Sequence, residues 1–420
     1  MSVATPAEER LRAVPWRALA PIAAELDAPI AEVLSGAAAE RVLRAFLRAR
    51  PALPAEARAA AAEAVFGVGL WRRRLRAQLG DPDASPRVLL AALARDLGGI
   101  QEGAAALAGI APDALPPSRP PPAALADRYS LPGWLASEIE RAAGPDAAAL
   151  ADALSRPGPV CLRANLARIS REALAAALAA EGVATRAGRL APGALVVEGA
   201  RPNVLGLAAI REGLCEVQDE GSQLLGELVG ARPGEAILDA CAGAGGKTLL
   251  LAAAAAPGGT VHATDPDRER LVRLRGRARR AGGARVLLHA GPAPAELRVD
   301  RVLVDAPCSE LGALRRGPDL RWRIDPGGFA ALPALQAGIL SDAARHVRPG
   351  GRLVYATCTF RREEDEDVAR AFEAGHTAFA RVLPEVAPAL TTAEGFLRTW
   401  PHRDGTDAFF AAVWQRRPGT

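Results

Sequence analysis

Apolar residues recur at helical spacing from Glu8 to Ala114, in Ala/Leu-rich segments broken at Pro51, Pro54, Gly80 to Pro86 and Gly98-Gly99. That stretch predicts a small all-α module. Pro116-Pro-Ser-Arg-Pro-Pro-Pro122 follows as a stiff linker and marks a domain boundary. Between Leu125 and Ala153 the spacing predicts two further helices, parted near Gly144-Pro145. The period then changes. Val160 to Asn165 and Ala194 to Glu198 predict strands around a helix from Ser170 to Glu181, a small α+β subdomain running from Pro159 to about Gly230. From there strands and helices alternate, which predicts a doubly wound parallel sheet. Its strands are expected at Ala236–Ala240, Thr260–Thr264, Arg285–Leu288, Arg301–Asp305 and Arg352–Thr357, with helices at Thr248–Ala256, Arg268–Ala281 and Leu332–His346. Phe409 to Trp414 reads as a late strand, paired with one near Gly395 to Thr399. The expected fold class is therefore α/β, in three domains: 1–122, 123–230 and 231–420.

Composition narrows the function classes. Half of the 420 residues are hydrophobic, yet no apolar run is long enough to span a bilayer. The segment from Met1 to Arg12 is charged and lacks the apolar core of a signal peptide. A soluble cytoplasmic protein, with no membrane partner, is expected. Net charge is only +4, so charge alone does not identify a nucleic-acid partner. Its form says more, because all but one of the 52 basic residues are Arg and the exception is Lys247. A lone Lys in an Arg-rich chain suggests a site that wants a compact ammonium. Arg41, Arg44 and Arg48 share one helix face, and Trp71-Arg-Arg-Arg-Leu-Arg76 adds a second basic cluster. Either is a solvated face or a phosphate-tracking surface. Five cysteines without a Cys-x-x-Cys pair and five scattered histidines argue against a disulfide framework and a structural zinc. No metal site is expected.

The chemistry gathers around Ile237-Leu-Asp-Ala-Cys-Ala-Gly-Ala-Gly-Gly-Lys-Thr248, a strand, a glycine-rich turn and the opening of a helix. Such a turn lets backbone approach a nucleotide or nucleoside closely. Three readings compete. A P-loop would need glycine where Cys241 stands, and a dinucleotide fingerprint would need glycine where Thr248 stands. The third is a methyl-donor loop of a class I methyltransferase. Asp265 ends the second strand, placed either to accept hydrogen bonds from ribose hydroxyls or to cap the next helix. The fourth strand runs into Asp305-Ala-Pro-Cys-Ser309 and the fifth into Tyr355-Ala-Thr-Cys-Thr359. Cys308 and Cys358 thus converge on one crevice. A lone buried cysteine is usually an inert small hydrophobe, but two at neighbouring strand ends beside an Asp point to chemistry.

On these motifs the chain resembles the bacterial RsmB/Fmu group within the RsmB/NOL/NOP (NSUN) family of RNA cytosine-5 methyltransferases. Leu162-Arg-Ala-Asn165 and Gln218-Asp-Glu-Gly-Ser222 match the subdomain preceding the family's core, and Gly405-Thr-Asp-Ala-Phe-Phe410 matches its C-terminal hairpin. The resemblance implies a class I, Rossmann-like core, an RRM-like subdomain and a NusB-like RNA-binding domain at the N-terminus. It implies S-adenosyl-L-methionine as cofactor, held by Asp239, Cys241, Ala242, Gly243, Ala244, Gly245, Gly246, Lys247, Asp265, Gly291 and Asp305. By the same resemblance Cys358 is the nucleophile, Cys308 assists its release, and Asp305 contacts the cytosine edge. Lys247 would help to orient the reacting base. Arg315, Arg316, Arg321 and Arg323, which follow the Pro-Cys motif, could hold flanking RNA phosphates. The implied substrate is small-subunit ribosomal RNA, acted on by a monomer.

The chain departs from the family pattern at three places. Ala244 stands where Pro is frequent, and Glu310 where a Gly often follows the Ser. After the third strand, where an acidic residue usually reads adenine, the chain runs His289-Ala-Gly-Pro-Ala-Pro294, with Gly291 near that place. Transfer RNA as substrate, or an RNA-binding assembly factor with impaired methylation, are the alternatives.

Overall fold

Why the chain divides where it does is seen in how its proline-rich stretch is held. The computed structural model describes residues 5–199 and 202–419. Two compact units result, Met1–Pro157 with Leu314–Pro326, and Gly158–Ala313 with Gly327–Thr420. The helical unit extends to Pro157, past the boundary expected at residue 122. The Pro116–Pro122 stretch is strapped to two helical segments of the unit: the Arg119 N–H donates to Gln78 O of the longest helix at 2.8 Å, and Arg95, in Leu93–Leu97, donates to Pro116 O at 2.6 Å. A stiff segment laid along a helix is a strap, and the chain beyond it still packs on the same core.

In the helical unit, Ala55–Leu79 runs for 25 residues and ends at Gly80, whose φ of +70° allows its N–H to turn back onto Arg76 O and Ala77 O. Trp16, Trp71, Leu75 and Leu89 are buried around it. The segment Leu314–Pro326 is built into this unit although it is distant in sequence. Asp319 caps the helix Ala39–Arg48 by accepting the Ala39 N–H at 3.1 Å, and Trp322 lies under the Arg72 guanidinium, 4.1 Å from the ring centre. The basic run after Trp71 is tied inward. Arg73 pairs with Asp127 at 2.6 Å, and buried Arg74 pairs with Glu8 at 2.6 Å.

The second unit begins with β1 (Cys161–Ala164), β2 (Thr185–Ala187), β3 (Ala194–Val197) and β4 (Cys215–Val217), an antiparallel sheet of order β2-β3-β1-β4. Helices Arg171–Ala180 and Ala208–Arg211 complete a β-α-β-β-α-β arrangement of the ferredoxin type. The core sheet follows with β5 (Ala236–Asp239), β6 (Thr260–Asp265), β7 (Arg285–Ala290), β8 (Val299–Asp305), β9 (Val347–Thr357), β10 (Phe379–Arg381), β11 (Leu397–Thr399) and β12 (Phe409–Arg416). Its order is β10-β12-β9-β8-β5-β6-β7, with β11 paired to β12. Strands β5 to β9 are parallel, and β12 lies antiparallel to β9. Strand order reverses between β5 and β8, the place where open α/β sheets form a crevice at their carboxyl edge. Ile237, Val261, Leu303 and Val354 are fully buried between that sheet and its helices, which sets the strand ends rigidly.

Candidate active site at the carboxyl edge of the sheet

The glycine turn after β5 is shaped by two left-handed residues. Gly243 has φ +53° and Gly245 +91°. A Cβ on Gly245 would run into the Leu274 side chain, so that glycine lets the loop pack on the next helix. A Cβ on Gly243 would meet nothing within 4 Å, so this glycine fronts open space. Its N–H donates to Asp265 Oδ2 at 2.9 Å, and the Gly291 N–H donates to Asp265 O at 3.2 Å. Gly243, Asp265 and Gly291 are thus brought together. The helix-capping alternative for Asp265 falls to its neighbour, because Asp267 accepts the Glu269 and Arg270 N–H groups.

Asp239, the last residue of β5, is 1% exposed. Its Oδ2 accepts the Thr248 hydroxyl at 2.7 Å, while its Oδ1 is buried without a hydrogen-bond partner among the described residues. Burial pushes this carboxyl up to about 6, with the Asp305 charge adding to the rise and the Thr248 hydroxyl opposing it. Lys247 is also buried and donates to Asp305 Oδ2 at 2.7 Å. Burial disfavours its charge, but the adjacent Asp305 carboxylate outweighs that and holds the ammonium above its ordinary value.

Asp305 and Ala356 are register partners on β8 and β9, so the loops leaving the two strands start side by side. They bring Cys308 Sγ to 3.4 Å from Cys358 Sγ. A hydrogen bond to Cys358, followed by burial, raises the Cys308 thiol well above its ordinary value. Cys308 is thereby kept protonated.

Residues without an assigned role in the sequence reading hold these groups in place. Glu364 is fully buried and accepts the Ser309 N–H at 2.9 Å and the Gln336 amide at 3.0 Å. Gln336 also donates to Pro307 O at 2.9 Å, and Ser309 and Thr359 share a hydroxyl contact of 2.7 Å. The loops carrying both cysteines are therefore fastened together one residue beyond each sulfur. Arg163 on β1 donates to Gln218 and, at 2.6 Å, to Gly246 O, fixing the glycine turn from the ferredoxin-type subdomain. A carboxylate five residues past a Thr-Cys-Thr loop, just before an amphipathic helix, was the available signal for Glu364. Glu310 takes a left-handed φ of +57°, which explains physically why glycine suits this position.

The four arginines after the Pro-Cys motif do not form one surface. All lie in the segment built into the helical unit. Arg316 and Arg323 are exposed, and Arg323 pairs with Asp319 at 3.4 Å. Arg315 is buried. Arg321 is completely buried, donating to Leu154 O at 2.8 Å and to Ser155 Oγ at 3.3 Å, with burial lowering it to about 9. The expectation that Arg321 holds an RNA phosphate is corrected: no solvent-borne anion reaches it. Arg321→Ala should destabilise the protein by about 3 kcal/mol or more, because it strips donors from buried acceptors. Denaturant unfolding measures that loss, and RNA affinity of the folded fraction should stay unchanged.

Among the described residues no cluster of three or more His, Cys, Asp or Glu could hold a metal ion, and no helix is long and apolar enough to cross a membrane. Comparison with known proteins agrees with the site's architecture. Residues 227–415 match the family profile described as 16S rRNA methyltransferase RsmB/F, and 131–203 match the ferredoxin-like domain of RsmF/B-like methyltransferases. A probable ribosomal RNA small subunit methyltransferase B of Bacillus subtilis is 33% identical over 312 residues, covering 70% of this chain and 68% of that protein. A methyltransferase homolog from Pyrococcus horikoshii is 25% identical, with a TM-score of 0.62, over 70% of this chain and 97% of that one. A second solved structure, PH0851, shares the fold at 24% identity and a TM-score of 0.73, covering 99% of this chain and all of that one.

Proposed function

This chain belongs to the 16S rRNA methyltransferase RsmB/F family, and from that premise we propose that it methylates carbon 5 of a cytosine in small-subunit ribosomal RNA. The observation that carries the reading is the pair of sulfurs, Cys308 and Cys358, 3.4 Å apart at the ends of adjacent strands. Family and fold imply S-adenosylmethionine as the group bound beside them. The residues fit it: Gly243 fronts open space, and Asp265 and Gly291 adjoin it. When bound, that cofactor supplies an electrophilic methyl.

The protein's own part is to make an unreactive carbon nucleophilic. Carbon 5 of cytosine is a poor nucleophile, and addition of a thiolate at carbon 6 turns the ring into an enamine. Cys358 is that thiolate. A free cysteine is only a few per cent ionised at neutral pH, and the buried Lys247 ammonium places a positive charge near the Cys358 sulfur. Asp305 hydrogen-bonds the cytosine edge, with its free lone pairs oriented by Lys247. Once carbon 5 carries the methyl, its proton would pass to solvent water and the electron pair left behind would expel Cys358 as the ring double bond re-forms. Cys308, still protonated, donates to the departing sulfur and eases that release. The target base must be unstacked to reach two strand-end thiols, at a cost of a few kcal/mol. In this reading the helical N-terminal residues 1–122 are a NusB-like RNA-binding module, and the enzyme works in the cytoplasm as a monomer.

Purified protein, S-adenosylmethionine and unmodified small-subunit rRNA should yield 5-methylcytidine, detected by mass spectrometry of the digested nucleosides. Product from transfer RNA but not from rRNA would shift the substrate. Cofactor binding without methyl transfer to either RNA would overturn the reading in favour of an assembly factor.

A further inference from the structure

The helix Arg268–Ala281 carries seven arginines, and the structure separates them into two kinds. Arg270 pairs with Asp267, Arg273 with Glu269, and Arg277 with Glu216. Arg280 faces the same Glu216 at 3.9 Å. Arg268, Arg275 and Arg279 are exposed and make no ion pair or hydrogen bond among the described residues. At i, i+7 and i+11 they fall on one narrow face of the helix. Val272, at i+4 on that face, is 65% exposed.

Beside the stripe lies a groove of about 450 Å³, lined by Arg275, Ala278, Arg279, Gly283, Leu287 and Leu288. Its far wall is β7, the edge strand of the core sheet, whose outer side has no neighbouring strand among the described residues. The groove therefore combines unpaired cations, unpaired backbone donors and acceptors, and half-buried aliphatic surface. The stripe begins three residues beyond Asp265, at the rim of the cofactor crevice, and Arg279 lies about 16 Å further along the helix.

We propose that this groove is an RNA subsite, in which a single-stranded segment flanking the target cytosine lays its phosphates on Arg268, Arg275 and Arg279. Val272 and Leu288 then meet the sugar and base surfaces between those phosphates. The inference rests on the methyltransferase reading above, because that reading makes RNA the polyanion the protein must hold. Arginine is suited to the task, since its planar fork engages phosphate oxygens two at a time. Arg277 is kept out of this role by its contacts with Ala244 O, which fixes the helix to the glycine turn, and with Glu216 on β4.

The test uses the full chain with Arg268, Arg275 and Arg279 replaced together by Ala, and a fluorescein-labelled 20-nucleotide single-stranded RNA as probe. Each phosphate contact on a single strand adds about 0.7 to the log–log salt dependence, so losing three should flatten the slope by about 2. At 0.15 M salt that corresponds to binding weakened on the order of fiftyfold. In methylation assays the loss should fall on KM rather than kcat, and replacement of the three by Lys should restore the slope. Arg345→Ala, which removes a cation paired with Asp342, serves as the control and should leave the slope unchanged. If the triple Ala variant and this control give the same slope, the stripe is only a solvated face and the inference fails. Because the slope needs no turnover, a wild-type enzyme that binds RNA but transfers no methyl would sink the methyltransferase reading separately.

Discussion

Cys308→Ala is expected to leave the enzyme covalently joined to its RNA, while Cys358→Ala forms no adduct and loses methyl transfer by a factor on the order of 10⁴ or more. The two sulfurs sit 3.4 Å apart on the loops that leave adjacent strands. The hydrogen bond to Cys358 and burial keep Cys308 protonated, so it is suited to donate and unsuited to attack. Removing it leaves addition at carbon 6 intact and slows the final elimination, so the adduct accumulates. Removing Cys358 takes away the group that makes carbon 5 nucleophilic. Denaturing gel electrophoresis with labelled RNA, run beside a methyl-transfer assay, separates the cases. Near-normal methylation by both variants would end the two-thiol mechanism.

Much of this site was legible because its residues lie where strands end. The run from Ile237 to Thr248 switches from an apolar strand through glycines to a helix, and Asp305 and Thr357 close the apolar runs of β8 and β9. Side chains at such points are positioned by backbone alone, so spacing sufficed to place Cys308 and Cys358 in one crevice. The helix Arg268–Ala281 was legible to the residue, since glycines follow it and an Asp precedes it. Glu364 was not legible. Its partners Ser309 and Gln336 lie 55 and 28 residues away, and only the packed fold shows that one carboxylate serves both. Arg321 misled for the same reason. A run of arginines after a catalytic loop suggests phosphate contacts, and nothing local reveals that Leu314–Pro326 enters the helical unit and buries that guanidinium. At residue 122 proline content reports stiffness, whereas the compact helical unit runs on to Pro157 and is closed by contacts such as the Ala7 N–H with Asp152, 145 residues apart.

Asp239→Asn should stabilise the cofactor-free protein above pH 6 and weaken S-adenosylmethionine binding at the same time. Burial raises this carboxyl from 3.8 to about 6, so between about pH 4 and 6 the folded protein holds a proton that the unfolded chain has released. Stability therefore falls as pH rises through that window and levels off above it, at a cost of about 3 kcal/mol. Asparagine cannot ionise, and its carbonyl oxygen can still accept the Thr248 hydroxyl. The variant should thus gain up to about 3 kcal/mol at pH 8 and almost nothing at pH 4, as measured by urea unfolding without cofactor. Natural chains have little reason to bury an oxygen that lacks a partner, and Asp239 Oδ1 has none among the described residues. Its use follows if a donor or cation on the cofactor meets it, in which case calorimetry should show binding weakened by at least about tenfold in the variant. A variant less stable at pH 8 would mean that the Asp239 charge already has its counterpart within the protein. Unchanged cofactor affinity would mean that the buried oxygen faces something other than the methyl donor. Gain in stability together with loss of binding is the combination expected of a residue strained for its ligand, because the same buried charge, only partly offset by the Thr248 hydroxyl and the Lys247 ammonium, produces both.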